Sequence, residues 1–68
     1  MAPYQSNVKE HREMKGLSQE ALARELGVSR QTVVNIERGV SEPKVFLAIA
    51  LAAVLGVAVS ELFRKGEK

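Results

Sequence analysis

At 68 residues the chain has the length of one small domain, a size at which a single core stabilises only weakly, so tight helix packing or self-association is expected to add to it. With no cysteine and one histidine, disulfides and a Cys/His zinc site are excluded, and a reducing compartment fits the composition. The net charge of +2 permits nucleic-acid binding without arguing for it, so the placement of charge matters more than its sum.

The opening Met1-Ala2-Pro3-Tyr4-Gln5-Ser6 lacks a basic and apolar run and is read as no signal peptide. Punctuation along the chain then predicts five helices, over about 6–15, 19–26, 30–38, 44–55 and 59–64. Gly16, Gly27, Gly39 and Gly56 each follow a helix-compatible run, where a left-handed residue closes a helix. Ser18 and Ser29 stand where a hydroxyl oxygen caps the helix that follows. No alternating strand pattern, hairpin dipeptide, repeat or internal linker interrupts the series. The fold class is therefore all-α, a compact five-helix domain over residues 1–68.

The second predicted helix carries Leu22, Ala23 and Leu26 as a small apolar face, and the third carries Val33 and Ile36. Only Gly27-Val28-Ser29 separates them. Two short helices joined this tightly cross steeply, which requires a small residue at the crossing, here Ala23, and an apolar plug at the corner, here Val28. Residues 19–38 thus have the physical content of a helix-turn-helix.

On a helical wheel Val33, Ile36 and Glu37 of the third helix share the core side, while Gln31, Asn35 and Arg38 fall opposite. Arg30 and Thr32 flank the N-terminal end, and Val34 sits at the edge of the outer arc. Any solvent-facing helix is polar, but such helices usually mix Glu with Lys, whereas this arc is Arg, Gln, Thr, Asn and Arg. Arginine matches the acceptors of guanine, and Gln or Asn the paired donor and acceptor of adenine, so the arc suits the major groove.

The fourth predicted helix has a core stripe of Ala48, Leu51, Ala52 and Leu55, and a second apolar stripe of Phe46, Ile49, Ala50 and Ala53 facing away from it. A helix that is apolar all round is buried all round, and a domain this small cannot cover both sides. A second copy is the expected cover, making 44–64, with Val57, Val59, Leu62 and Phe63 as further candidates, a dimerisation region. The alternative is that the alanines are simply good helix formers and Phe46 tucks into its own core. Val45 to Ser60 carries no charge, but it contains a glycine and is shorter than the roughly 20 apolar residues that span a bilayer. A soluble, cytoplasmic protein is expected.

The run Gly16-Leu17-Ser18-Gln19-Glu20-Ala21-Leu22-Ala23, continued by Gly27-Val28-Ser29-Arg30-Gln31-Thr32-Val33-Val34-Asn35-Ile36-Glu37-Arg38-Gly39, resembles the Xre family, the phage repressor/Cro-type helix-turn-helix regulators. Pro43, Leu55-Gly56-Val57 and Glu61-Leu62-Phe63 extend the match to about residues 7–63. The resemblance implies a repressor-like five-helix domain that docks its third helix in the major groove of double-stranded DNA, usually as a dimer on a pseudo-palindromic operator. It assigns base reading to Arg30, Gln31, Thr32 and Asn35. Gln19 falls on a position that contacts phosphate and braces the recognition helix, Arg38 on a backbone-contacting one, and Arg12 and Glu37 on an ion pair tying helix 1 to helix 3. Gln19 and Ser29 both lie at helix N-termini, where free N–H groups and the dipole favour a phosphate; for Ser29, capping alone is an equal alternative.

Departures from the family pattern bear on details. His11 takes a position usually aliphatic, where a partly buried ring with a backbone partner is expected. The loop Val40-Ser41-Glu42 is not basic, which leaves backbone N–H groups rather than side chains for phosphate contact. Lys44 and Ala58 stand where capping Ser or Thr is usual, so helices 4 and 5 are expected to begin less firmly.

A chain with no aspartate, no cysteine and one histidine assembles no catalytic constellation, and no enzyme activity, metal, cofactor or small-molecule ligand is expected. The competing function is an antitoxin or adaptor module that grips another protein through the helix 4 face.

Overall fold

The computed structural model describes residues 4–40 and 42–65. Residues 1–3, and Ser41 in the loop expected to offer backbone amides, lie outside that range. Five helices follow in order: α1 (Val8–Met14), α2 (Gln19–Leu26), α3 (Arg30–Arg38), α4 (Val45–Leu55) and α5 (Val59–Leu62). They are framed by two short strands, β1 (Tyr4–Ser6) and β2 (Phe63–Lys65), paired antiparallel with Tyr4 opposite Lys65 and Ser6 opposite Phe63.

The ends of α2 and α3 follow from their flanking residues. Ser18 Oγ accepts from the Ala21 amide at 3.0 Å, and Ser29 Oγ from the Thr32 amide at 3.2 Å. Each caps an amide with no partner inside its helix. At the C-terminus of α2, Gly27 adopts φ 72°, a conformation most residues reach only with strain, and the Val28 amide turns back to the Ala23 carbonyl at 3.0 Å. That reversal is the corner of the motif, and it delivers Val28 to the edge of the core. Lys44 and Ala58 supply no side-chain cap to α4 and α5.

The core takes a contribution from every helix: Val8, Leu22, Ala23, Val33, Ile36, Leu51, Leu55 and Leu62. Ala23 is buried within α2, which packs chiefly on α3. Burying each of the larger aliphatic side chains stabilises the fold by about 1.5–3 kcal/mol. On α4, Leu51 and Leu55 are buried while Ala48 and Ala52 are half-buried, and Leu47 and Val54 also pack against the core.

The terminal ribbon corrects the sequence reading. The first helix starts at Val8 rather than near residue 6, and the last ends at Leu62 rather than at 64. Three residues are too few to display a strand alternation, and the pairing joins opposite ends of the chain with no turn to announce it. The Asn7 amide extends the ribbon by donating to the Leu62 carbonyl at 2.8 Å. The ribbon thereby anchors α1 and α5 to one another. His11 is half-buried, and its ring forms no hydrogen bond with the described residues, contrary to the expected backbone partner. Among the described residues no helix is long and apolar enough to cross a membrane.

Candidate nucleic-acid interface

The outward face of α3 is built from the capped end of the helix onwards. Ser29, Arg30, Gln31 and Arg38 are exposed, and Thr32, Val34 and Asn35 are half-buried along the same arc. Opposite them Val33 and Ile36 are 1% and 2% exposed and fix the helix to the core. The outward arc contains two guanidinium groups and no carboxylate, so its surface consists of donors and amides.

The acid of α3 is turned inward. The Glu37 side chain is 5% exposed and meets Arg12, whose side chain is 9% exposed, with Arg12 Nε donating to Glu37 Oε2 at 2.6 Å. A carboxylate at that depth is costly unless paired and hydrogen-bonded. Arg12 Nη2 reaches Glu37 Oε1 at 3.5 Å, and Arg12 Nη1 donates to the Leu17 carbonyl at 2.7 Å. Gln19 completes the cluster, its Nε2 donating to Glu37 Oε1 at 3.0 Å. One buried carboxylate therefore ties α1, α2 and α3 together and sets the pose of the exposed arc.

Two further side-chain links order the arc itself. Ser29 Oγ and Thr32 Oγ1 lie 2.9 Å apart. Two hydroxyls sharing one hydrogen bond leave a second hydroxyl hydrogen free to donate outward. Gln31 Nε2 donates to Asn35 Oδ1 at 3.1 Å, one turn along the helix. Arg24 on α2 is exposed and sits 3.9 Å from Glu20, a solvent-screened pair.

On α4, Phe46 is 86% exposed and Ile49 54%, with Ala53 exposed and Ala50 half-buried. Phe46 is thus not tucked into its own core. Sequence reasoning left Val45 out of this patch, although it is 71% exposed and stands four residues before Ile49. The same i, i+4 spacing that assembled the rest would have found it. A groove of about 390 Å³ runs beside the patch, lined by Leu26, Val28, Lys44, Phe46, Leu47 and Ala50. Sequence reasoning missed the Leu17 carbonyl, and it did not name Glu37 as the residue of the third helix that Gln19 meets; carbonyl partners leave no side-chain signature, and amide direction has none.

A family model described as helix-turn-helix matches residues 8–62. An HTH-type transcriptional regulator of Methanocaldococcus jannaschii is 41% identical over 58 residues, spanning 85% of this chain and 88% of its own. Among solved structures, the restriction-modification controller protein C.AhdI of Aeromonas hydrophila superposes with a TM-score of 0.74 at 39% identity, covering 82% of this chain and 85% of that one. SinR of Bacillus subtilis, a master regulator for biofilm formation solved in complex with DNA, gives a TM-score of 0.70 at 34% identity, covering 76% and 84%.

Proposed function

The chain belongs to the helix-turn-helix family of transcriptional regulators, and from that premise we propose that it binds double-stranded DNA sequence-specifically as a cytoplasmic homodimer, with α3 in the major groove. The observation that carries the reading is the carboxylate-free outer arc of α3, held in place from behind by Arg12, Gln19 and Glu37. Arg30, Gln31, Thr32 and Asn35 read base edges, with guanidinium matching guanine and amide matching adenine. Gln19, Ser29 and Arg38 hold phosphates, which fix register without specifying sequence. The spare hydroxyl hydrogen of the Ser29–Thr32 pair is one such donor. Gln19 spends one Nε2 hydrogen on Glu37 and keeps the other for a phosphate, so it braces α3 and touches DNA with a single amide.

Phe46, Ile49, Ala50 and Ala53, joined by Val45, form the contact between two copies. The patch is uncharged and apolar, which suits an isologous contact with itself, since like charges never oppose one another across the two-fold axis. Covering it removes large exposed apolar groups from water and adds the stability that a core of this size lacks. Two α3 helices then face successive major grooves, about 34 Å apart. Occupying such an operator blocks or recruits polymerase and thereby regulates transcription.

Selection from a pool of random duplexes tests the proposal. The expected product is a pseudo-palindrome with half-sites about one helical turn apart. Recovery of no enriched sequence would count against it. The same exposed Phe46 also favours a second reading, an antitoxin or adaptor that grips a different protein. A chain that is monomeric by light scattering and fails to bind duplex DNA would favour that one.

A further inference from the structure

The groove beside the apolar stripe of α4 and the ring at its edge are complementary. Leu26, Val28, Leu47 and Ala50 line about 390 Å³, and Lys44 and Phe46, both exposed, complete the lining as its rim. Leu26, Val28 and Leu47 also pack against the core, so the apolar walls are anchored from behind. No carboxylate lines the groove, and the long stem of Lys44 can carry its ammonium into water. Phe46 stands 86% exposed at the rim, so a bulky apolar ring and an apolar hollow with room for it lie side by side on one surface.

A flat contact of the α4 stripe with its own copy is too small to hold two chains together. Specific interfaces bury about 800 Å² on each partner, and one phenylalanine buries about 150–250 Å². Phe46 with Val45 and Ile49, 71% and 54% exposed, falls short of that area even when each is counted as a phenylalanine. The contact has to take in more apolar surface, and the groove is the surface that adjoins it. Resting on the homodimer reading above, we propose that the groove is the seat of the Phe46 ring of a second copy. A two-fold axis makes the exchange mutual: as Phe46 of the partner subunit enters this groove, the Phe46 described here enters the other. Leu26 ends α2 and Val28 forms the corner before α3, so each ring packs on the corner that carries the reading helix. Each copy thereby braces the reading helix of the other.

Isotope-filtered NMR on exchanged labelled and unlabelled chains tests the seating, with the oligomeric state followed by analytical ultracentrifugation. Nuclear Overhauser contacts between copies are expected from the Phe46 ring to the methyl groups of Leu26, Val28 and Leu47. Phe46→Ala should raise the dimer dissociation constant by about 1,000-fold, the loss of one hot spot from each copy. Ala50→Phe plugs the groove from its own chain and should raise the constant by about 10-fold or more, although it makes the face more apolar. Circular dichroism checks that both variants are folded. A dimer whose Phe46 ring meets only Ile49 and Ala53 of the other copy, or one tightened by Ala50→Phe, would overturn the seating and leave the homodimer standing. A chain that is monomeric at the concentration used for NMR would end the homodimer reading and the seating with it.

Discussion

Replacing Arg12 with methionine is expected to cost this domain most of its stability. The substitution keeps the aliphatic volume of the side chain but removes the donors to Glu37 Oε2 at 2.6 Å and to the Leu17 carbonyl at 2.7 Å. Glu37, its side chain 5% exposed, is then left with the single amide hydrogen of Gln19. Stranding one partner of a buried ion pair costs about 3–5 kcal/mol. A chain of this length has about 3–10 kcal/mol in total, at roughly 0.05–0.15 kcal/mol per residue. Urea unfolding followed by far-UV circular dichroism should therefore show the midpoint falling towards zero denaturant. Arg12→Met combined with Glu37→Met should recover part of the loss, because no charge is left stranded. Glu20→Gln, at the exposed pair with Arg24, serves as the control and should change stability by less than about 1 kcal/mol. A loss below about 1 kcal/mol for Arg12→Met, the range of a surface pair, would show that Glu37 does not depend on Arg12 as a buried charge must.

Four other outcomes follow from the same geometry. Gly27→Ala should destabilise by about 1–2 kcal/mol in thermal melts, from backbone strain alone, since an added Cβ meets no atom within 4 Å at this φ of +72°. Ser18→Ala and Ser29→Ala should each cost about 1 kcal/mol of stability as lost caps. Only Ser29→Ala should also weaken duplex binding in fluorescence anisotropy. Phe46→Glu with Ile49→Glu should give a folded monomer by analytical ultracentrifugation, and equal dimer content in the variant and the unmodified chain would contradict the assigned interface. Gln19→Ala should weaken binding to every duplex by a similar factor, whereas an effect confined to certain sequences would reassign it to base reading.

The helix-turn-helix was legible because its determinants are local. Ser18, Gly27, Ser29 and Gly39 lie within a few residues of the helix ends they set, and the alternation of Leu22, Ala23, Val33 and Ile36 with polar neighbours fixes which face turns inward. The inward position of Glu37 was likewise readable from the wheel. Its full set of partners was not, because Leu17 contributes a carbonyl and Gln19 an amide whose direction no sequence encodes. The terminal ribbon escaped for a different reason: Tyr4 and Lys65 are neighbours only after the five helices have brought the chain ends together. On α4 the apolar residues surround the helix, and the stripe expected to be core is the one that holds the buried Leu51 and Leu55. What the sequence did not specify is how far the other stripe stands in solvent, with Phe46 86% exposed and Ile49 54%.

The arc also gives the site its logic. A core-anchored helix with no outward carboxylate needs little rearrangement to enter a groove lined by phosphates, and the Arg12–Glu37–Gln19 cluster holds it in that pose before DNA arrives. Such preorganisation lowers the cost of ordering side chains on binding.

Whether the outer arc of α3 meets DNA can be read residue by residue, by titrating the isotope-labelled chain with the duplex it selects and following backbone and side-chain amide resonances by NMR. The largest changes are expected at Gln19 and across Ser29 to Asn35, including the side-chain amides of Gln31 and Asn35, with α1 and the buried face of α3 little affected. Changes concentrated elsewhere, or none along the outer arc of α3 at saturating duplex, would contradict the placement of α3 against DNA.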